Sequence, residues 1–238
     1  MITIYWTKDT LEPVHPVNKI DSIGLRSRGP VPVKDIVDNK NKLEYKRCPA
    51  FKDYITNLYS ISAPFDYSLF VDDNNYIRTN DYDQKLFDQF VYIRSLEDKL
   101  ISLNDRHLFI PDVDDLMITQ MHPHLDTNGF SDNTSIIPGT FNIAKWPRFI
   151  ECAFHMKNNK MYFKQDDPLF YLKFHTNEKI VFKYFMMTPS MVSYQLLMLK
   201  TKDYKNKMSP LSYFYDLFAS KPKLKAKMLK EAMDNALE

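Results

Sequence analysis

Between Ile137 and Phe185 apolar and polar residues alternate with a period of two, the spacing of half-buried strands. Ile150, Cys152, Phe154 and Met156 fall on one face, with Glu151, Ala153 and His155 on the other. A two-residue turn at Asn158-Asn159 would pair Met156 with Met161 and Phe154 with Phe163, leaving His155 opposite Tyr162. The next strand would turn Phe170, Leu172 and Phe174 inward and Tyr171, Lys173 and His175 outward. Residues 176–178 would then close a second hairpin onto Ile180, Phe182 and Tyr184, so the pattern predicts an antiparallel β meander.

After Phe185 the period lengthens to about 3.6. Thr188-Pro189, Ser209-Pro210 and Ser220-Lys221-Pro222 each set a hydroxyl just before a proline, which predicts three helix starts. The last helix would carry Lys223, Lys227 and Lys230 on one face and Leu224, Met228, Ala232 and Ala236 towards the other. Upstream, Leu108 to Ile110 and Leu116 to Met121 read as strands around the acidic turn 111–115, and residues 85–100 lean towards a helix. Ile2 to Trp6 alternates weakly; Pro13, Pro16, Pro30 and Pro32 then predict an extended arm over residues 7–47. Residues 48–70 read as irregular apart from one short strand.

The expected fold is therefore α+β and mainly β: an antiparallel meander or sandwich, jelly-roll or double-stranded β-helix in type, with an N-terminal arm and about three C-terminal helices. At 238 residues with 14% aromatic content and four glycines, the chain has material for one sizeable core. One domain is expected: an arm over 1–47, a β-rich body over 48–185 and a helical extension over 186–238. No apolar run reaches the ~18 residues of a membrane span, and Met1 to Trp6 lacks the start of a signal peptide. A cytoplasmic site follows as an expectation, host cytoplasm or virion if the source is a phage, with Cys48 and Cys152 as free thiols. Charge sharpens the picture: residues 200–230 hold nine lysines against Asp203 and Asp216, so a net charge of +2 hides a basic tail on an acidic body.

Candidate chemistry centres on the histidines. His122, His124 and Asp126 have the H-x-H-x-D spacing of metal-binding strands, although Thr127 stands where hydrolases of that pattern need another histidine. A second grouping takes His124, Asp126 and a distal His175 as the two-histidine, one-carboxylate set of an Fe(II) oxygenase, with Lys183 for the carboxylate of 2-oxoglutarate. His155 would join such a site if another layer covered its face. Ordinary solvated histidines at strand ends are the competing account, and it stands ahead, leaving no cofactor as the expectation. Asp112, Asp114 and Asp115 lack the glycine and glutamate of an EF-hand and read as a solvated turn. Phosphate loops, nucleophile elbows and C-x-x-C pairs are absent. Lys223, Lys227 and Lys230 would offer a basic contact surface for an acidic protein or for nucleic-acid phosphates, although a solvated helix face is the simpler account and stands ahead.

The order of segments RCPA (47–50), APFD (63–66), HLFIP (107–111), IPGTFNIAKW (137–146) and DDPLFYLKF (166–174) resembles an uncharacterised family of phage and bacterial proteins. That resemblance spans about Cys48 to Phe185 and rests on a tryptophan-containing strand followed by a D-P-L-x-Y strand. It implies a β-rich body and a tailed-phage origin, and supplies no catalytic residues. The rhythm of residues 160–174 is also similar to β-clip folds of nucleotide pyrophosphatases and deaminases, whose catalytic motifs are missing here. The leading expectation is a non-enzymatic accessory or structural protein that works through a protein partner or self-association. An Fe(II)/2-oxoglutarate oxygenase and a nucleic-acid binder are the alternatives.

Overall fold

The computed structural model describes residues 1–8, 29–39, 47–80, 90–205 and 209–237. The first half contains β1 (Ile2–Lys8), β2 (Val31–Pro32), α1 (Val33–Asn39), α2 (Pro49–Ile55), β3 (Leu58–Ser62), β4 (Tyr67–Val71) and β5 (Ile77–Arg78). Next come β6 (Val91–Ser95), β7 (Leu100–Pro111), β8 (Met117–Met121), β9 (Thr134–Ile136), β10 (Gly139–Asn142) and β11 (Phe149–Met156). The chain ends with β12 (Lys160–Phe163), β13 (Pro168–Phe174), β14 (Ile180–Tyr184), α3 (Pro189–Lys205), α4 (Leu211–Ala219) and α5 (Pro222–Asp234). The α+β, mainly β class with helices at the C-terminal end is what the hydrophobic pattern predicts.

Six strands form one sheet in the order β14-β1-β7-β11-β9, with β6 also on β7. A second sheet runs β10-β8-β13-β3-β2 and a third β12-β4-β5. Pairing is antiparallel except between β1 and β14, which are parallel. Inward side chains of all three sheets share one core, from Ile4 and Phe109 through Phe154 to Leu69, Phe163 and Phe174. The first sheet is covered on its other face too, where Tyr5, Leu108 and Ile110 pack with Trp146, Phe214 and Met228 beneath α3–α5. Burial on both faces explains why Ile2 to Trp6 and Leu108 to Ile110 read as near-continuous apolar runs rather than clean alternation.

Helices α1 and α2 cover the outer face of the second sheet, where Val33, Val37 and Ile55 meet Leu58 and Tyr171. Tyr171, expected to face outward, is consequently buried. The arm expected over 7–47 is corrected where the structure describes it: Thr7 and Lys8 complete β1, and residues 33–39 are a packed helix. The remainder of that arm, 9–28 and 40–46, lies outside the described residues. Residues 48–70 hold a helix and most of two strands rather than one strand. The helix expected over 85–100 is replaced across 91–95 by β6, while 85–89 lie outside the described residues.

Neither expected hairpin forms. Phe154 pairs with Ile101 and Ile136, whereas Met161 and Phe163 pair with Leu69 and Tyr67 in another sheet. The bend between them is held by its surroundings: Asn158 Nδ2 donates to Asn133 Oδ1 at 2.6 Å, and Asn159 Oδ1 accepts from Lys99 Nζ at 2.6 Å. Asn177's neighbours behave alike, because Asn57 Nδ2 donates to the carbonyls of Thr176 and Glu178 while β14 crosses to β1. The inward faces were nonetheless read correctly, since Ile150, Cys152, Phe154, Met156, Met161 and Phe163 are all buried. Period two reports a strand's faces and leaves its partner open. Trp146 sits in the connection between β10 and β11, not within a strand.

Candidate functional site

The histidine cluster takes shape where residues 121–126 leave β8 and pass under α2. His124 Nδ1 donates to the carbonyl of His122 at 2.9 Å, which fixes its tautomer and leaves Nε2 to accept from the Tyr54 hydroxyl at 3.1 Å. Tyr171 donates to Asp126 Oδ2 at 2.6 Å. Burial raises the hydroxyl pKa of Tyr54, and burial followed by the Asp126 hydrogen bond raises that of Tyr171 far more. Both phenols stay protonated and donate, so they latch the loop to α2 and β13 and cannot act as bases. His122 is half-buried, and burial holds its pKa below the ordinary value.

His175 is placed elsewhere. It follows β13 at the end nearer the start of β8, with Nε2 2.7 Å from Thr119 Oγ1, four residues along the chain from Tyr171. Four residues of strand span roughly 13 Å. Lys183 lies in the other large sheet, beside Tyr5. The structure therefore brings His124 and Asp126 to one loop but does not add His175 or Lys183. Among the described residues no group of three His, Cys, Asp or Glu side chains is arranged to hold a metal ion.

His155 is paired across strands with Leu100 and Ser135 rather than Tyr162, and its Nδ1 lies 3.1 Å from the Asp98 carbonyl. Glu151, further along the same strand face, is engaged by Arg94 at 2.6 Å and faces Arg106 at 3.8 Å. Each acid of the 112–115 turn also has a structural partner: Asp112 accepts from the Thr3 amide, Asp114 pairs with Lys225 at 2.8 Å, and Asp115 accepts from Asn142. Lys173 caps α2 from the neighbouring strand, its Nζ donating to the carbonyls of Asp53, Tyr54 and Thr56 at 3.2, 2.8 and 2.5 Å.

The helical layer offers a different kind of site. α5 buries Met228 and Ala232 and exposes Lys223, Lys227 and Lys230, as its spacing predicts. Thr188 caps the N-terminus of α3 by accepting from the Met191 amide, whereas the N-termini of α4 and α5 have no side-chain cap. α3 sends Met191, Gln195 and Met198 into the body yet leaves Leu196 and Leu197 at 40% and 57% exposure. A helix apolar on opposite faces has a second face to cover. Leu197 borders a groove of about 650 Å³ whose walls are Leu217, Phe218, Pro222 and Leu224, with Lys221 and Lys223 on its rim. Sequence reasoning found the lysines and missed the groove; Leu196-Leu197 beside an inward Met191/Met198 stripe was the available signal.

At the turns of β4–β5 and β6–β7 lies a smaller groove of about 360 Å³, bordered by Val71, Asn74, Tyr76, Leu96, Glu97 and Lys99. Tyr76 and Leu96 are 51% and 42% exposed, and Asp73 and Asp98 are exposed next to them in the chain. Among the described residues no helix is long and apolar enough to cross a membrane. No family model, curated protein or solved structure matches this chain.

Proposed function

We propose that this chain is a non-enzymatic structural protein that assembles with copies of itself, the groove of α3–α5 on one copy receiving the β4–β5 and β6–β7 turns of the next. One observation carries the reading: the chain holds two exposed grooves with apolar residues in their walls, one rimmed by lysines and one bordered by both an acid and a lysine. Leu197, Leu217 and Leu224 are rimmed by Lys221 and Lys223; Tyr76 and Leu96 are bordered by Glu97 and Lys99, with Asp73 and Asp98 exposed in the same turns. The asymmetry between the lysines of residues 200–230 and the acidic remainder of the chain has the same sense. Apolar contact supplies affinity, and pairing of Lys221 and Lys223 with the exposed Asp73, Glu97 and Asp98 supplies orientation and encounter rate. Because the two surfaces differ, the contact is heterologous and builds rings or open chains.

Sedimentation velocity over a range of concentrations tests this. The weight-average mass should rise above 28.3 kDa with concentration. It should fall back when added salt shortens the screening length from about 10 Å at 0.1 M. A monomer at every concentration, or assembly that Leu197→Asp leaves intact, would refute the proposal. Retention of DNA or RNA by the Lys223, Lys227 and Lys230 face without self-assembly would favour the nucleic-acid alternative instead.

A further inference from the structure

We propose that Arg148, with Trp146 and Tyr215, forms a binding site for a single oxyanion group, a carboxylate or a phosphate. The site lies where the β10–β11 connection meets α4, and it stands on geometry independent of the assembly grooves.

Arg148 Cζ sits 4.9 Å from the centroid of the Phe141 ring and 5.2 Å from that of Trp146. Contact with two rings fixes the plane of a guanidinium while leaving its in-plane donors free, which is the preorganisation that bidentate oxyanion recognition needs. The connection itself is anchored, because the buried Gln195 side chain donates to the Pro147 carbonyl at 3.2 Å. Arg78, Arg94 and Arg106 each meet a carboxylate. Arg148 has neither a carboxylate nor a hydrogen-bond partner among the described residues, and its Nε is sealed from solvent.

Two more buried polar atoms beside it lack partners. Trp146 is 2% exposed with no acceptor for its Nε1–H, and the Tyr215 hydroxyl is also unpartnered. The Trp146 and Tyr215 rings meet edge to face at 5.2 Å. Burial raises the Tyr215 hydroxyl pKa and the positive charge of Arg148 opposes that rise, which places the guanidinium within electrostatic reach of the phenol. All three groups can donate hydrogen bonds. A water molecule would serve the phenol or the indole but would leave the arginine charge unmatched; an oxyanion answers charge and donors together. Arg148 is half-exposed, so its free edge gives the ligand a way in, and Lys145 adds an exposed positive charge on the same connection.

Titrating the full chain with inorganic phosphate, and separately with acetate, while following the Arg148 Nε–H and Trp146 Nε1–H resonances tests the site. Sodium chloride at matched ionic strength is the control. A saturable shift of both resonances with a dissociation constant of order 1 mM is expected, the affinity that a few charge-assisted hydrogen bonds support. Tighter phosphate binding assigns a phosphate ligand and tighter acetate binding a carboxylate; either supports the site. Arg148→Lys, which keeps the charge and loses the planar fork, should weaken binding at least about tenfold, and Tyr215→Phe by about threefold. Unchanged Trp6 Nε1–H and methyl resonances away from the site will establish that each variant is folded, with Arg148→Gln replacing any that is not. Shifts that never saturate, that chloride reproduces, or that Arg148→Lys leaves equally strong would overturn the proposal.

Discussion

Replacing Lys173 with methionine should loosen α2 from the second sheet. The lysine crosses from β13 to donate to three carbonyls at the C-terminal end of that helix, at 3.2, 2.8 and 2.5 Å. A hydrogen bond involving a charged group contributes about 1.5–3 kcal/mol, and a cation at a helix C-terminus about 0.3–1 kcal/mol. Against this stands desolvation of the ammonium, the leading reason its pKa lies below the ordinary lysine value. Water can also replace part of the lost bonding at a half-exposed helix end. The net loss should be about 2 kcal/mol, since methionine keeps the aliphatic packing and removes only the donors. For a chain of this size that is a fall of roughly 4–8 °C in Tm. Urea unfolding gives the stability change, and amide exchange over residues 49–56 locates it. Stability within about 0.5 kcal/mol of the parent, with unchanged exchange in α2, would refute the capping role.

Two further changes test other joints. His122 has a folded-state pKa below its reference value of 6.5, chiefly through burial, so the unfolded chain takes up the proton first as pH falls. This group's contribution is complete above pH 6.5 and declines as the pH drops towards the lowered folded value; comparing urea midpoints at acidic and neutral pH should show His122→Gln with the shallower dependence. A pH profile unaltered by the substitution would exclude His122 as its source. At Gly129 an added Cβ would lie 2.5 Å from the Tyr162 ring and 2.6 Å from its carbonyl oxygen. Gly129→Ala should therefore cost about 1–3 kcal/mol by overpacking the 128–133 loop against β12, and a neutral thermal shift would contradict that close approach.

What the sequence made legible was local. Alternation identified the buried faces of β11, β12 and β13 because side-chain direction is a property of each strand alone. Strand partners depend on the whole sheet, and Asn158-Asn159 illustrates the gap: a pair of asparagines suits a tight hairpin, but here both side chains bond loops from elsewhere. Tyr171 and Lys173 were assigned to an outer face that α1 and α2 cover, and nothing in the strand's own spacing announces a covering helix. His124 and Asp126 lie close in sequence and come together on one loop; His175 is distant in sequence and its position depends on the strand's length and direction. The contacts of Arg148 with two rings were invisible because Phe141, Trp146 and Tyr215 come from β10, the β10–β11 connection and α4, and their spacing repeats no motif. The apolar groove carried a readable sign in Leu196-Leu197, whereas its match to Tyr76 and Leu96 required the fold.

The most direct test of the assembly proposal is to mix two variants that each lack one side of the contact. Leu197→Asp disables the groove of α3–α5, and Leu96→Asp disables the surface at the β4–β5 and β6–β7 turns; both positions are exposed, so each monomer should keep the parent's thermal stability. Sedimentation of either variant alone should give only monomer. Their equimolar mixture should give a species of twice the chain mass that grows no further, because one intact groove of α3–α5 meets one intact turn surface and the remaining pair is dead. A mixture that stays monomeric while the parent assembles, or single variants that still assemble, would contradict groove-to-turn docking as the basis of this protein's function.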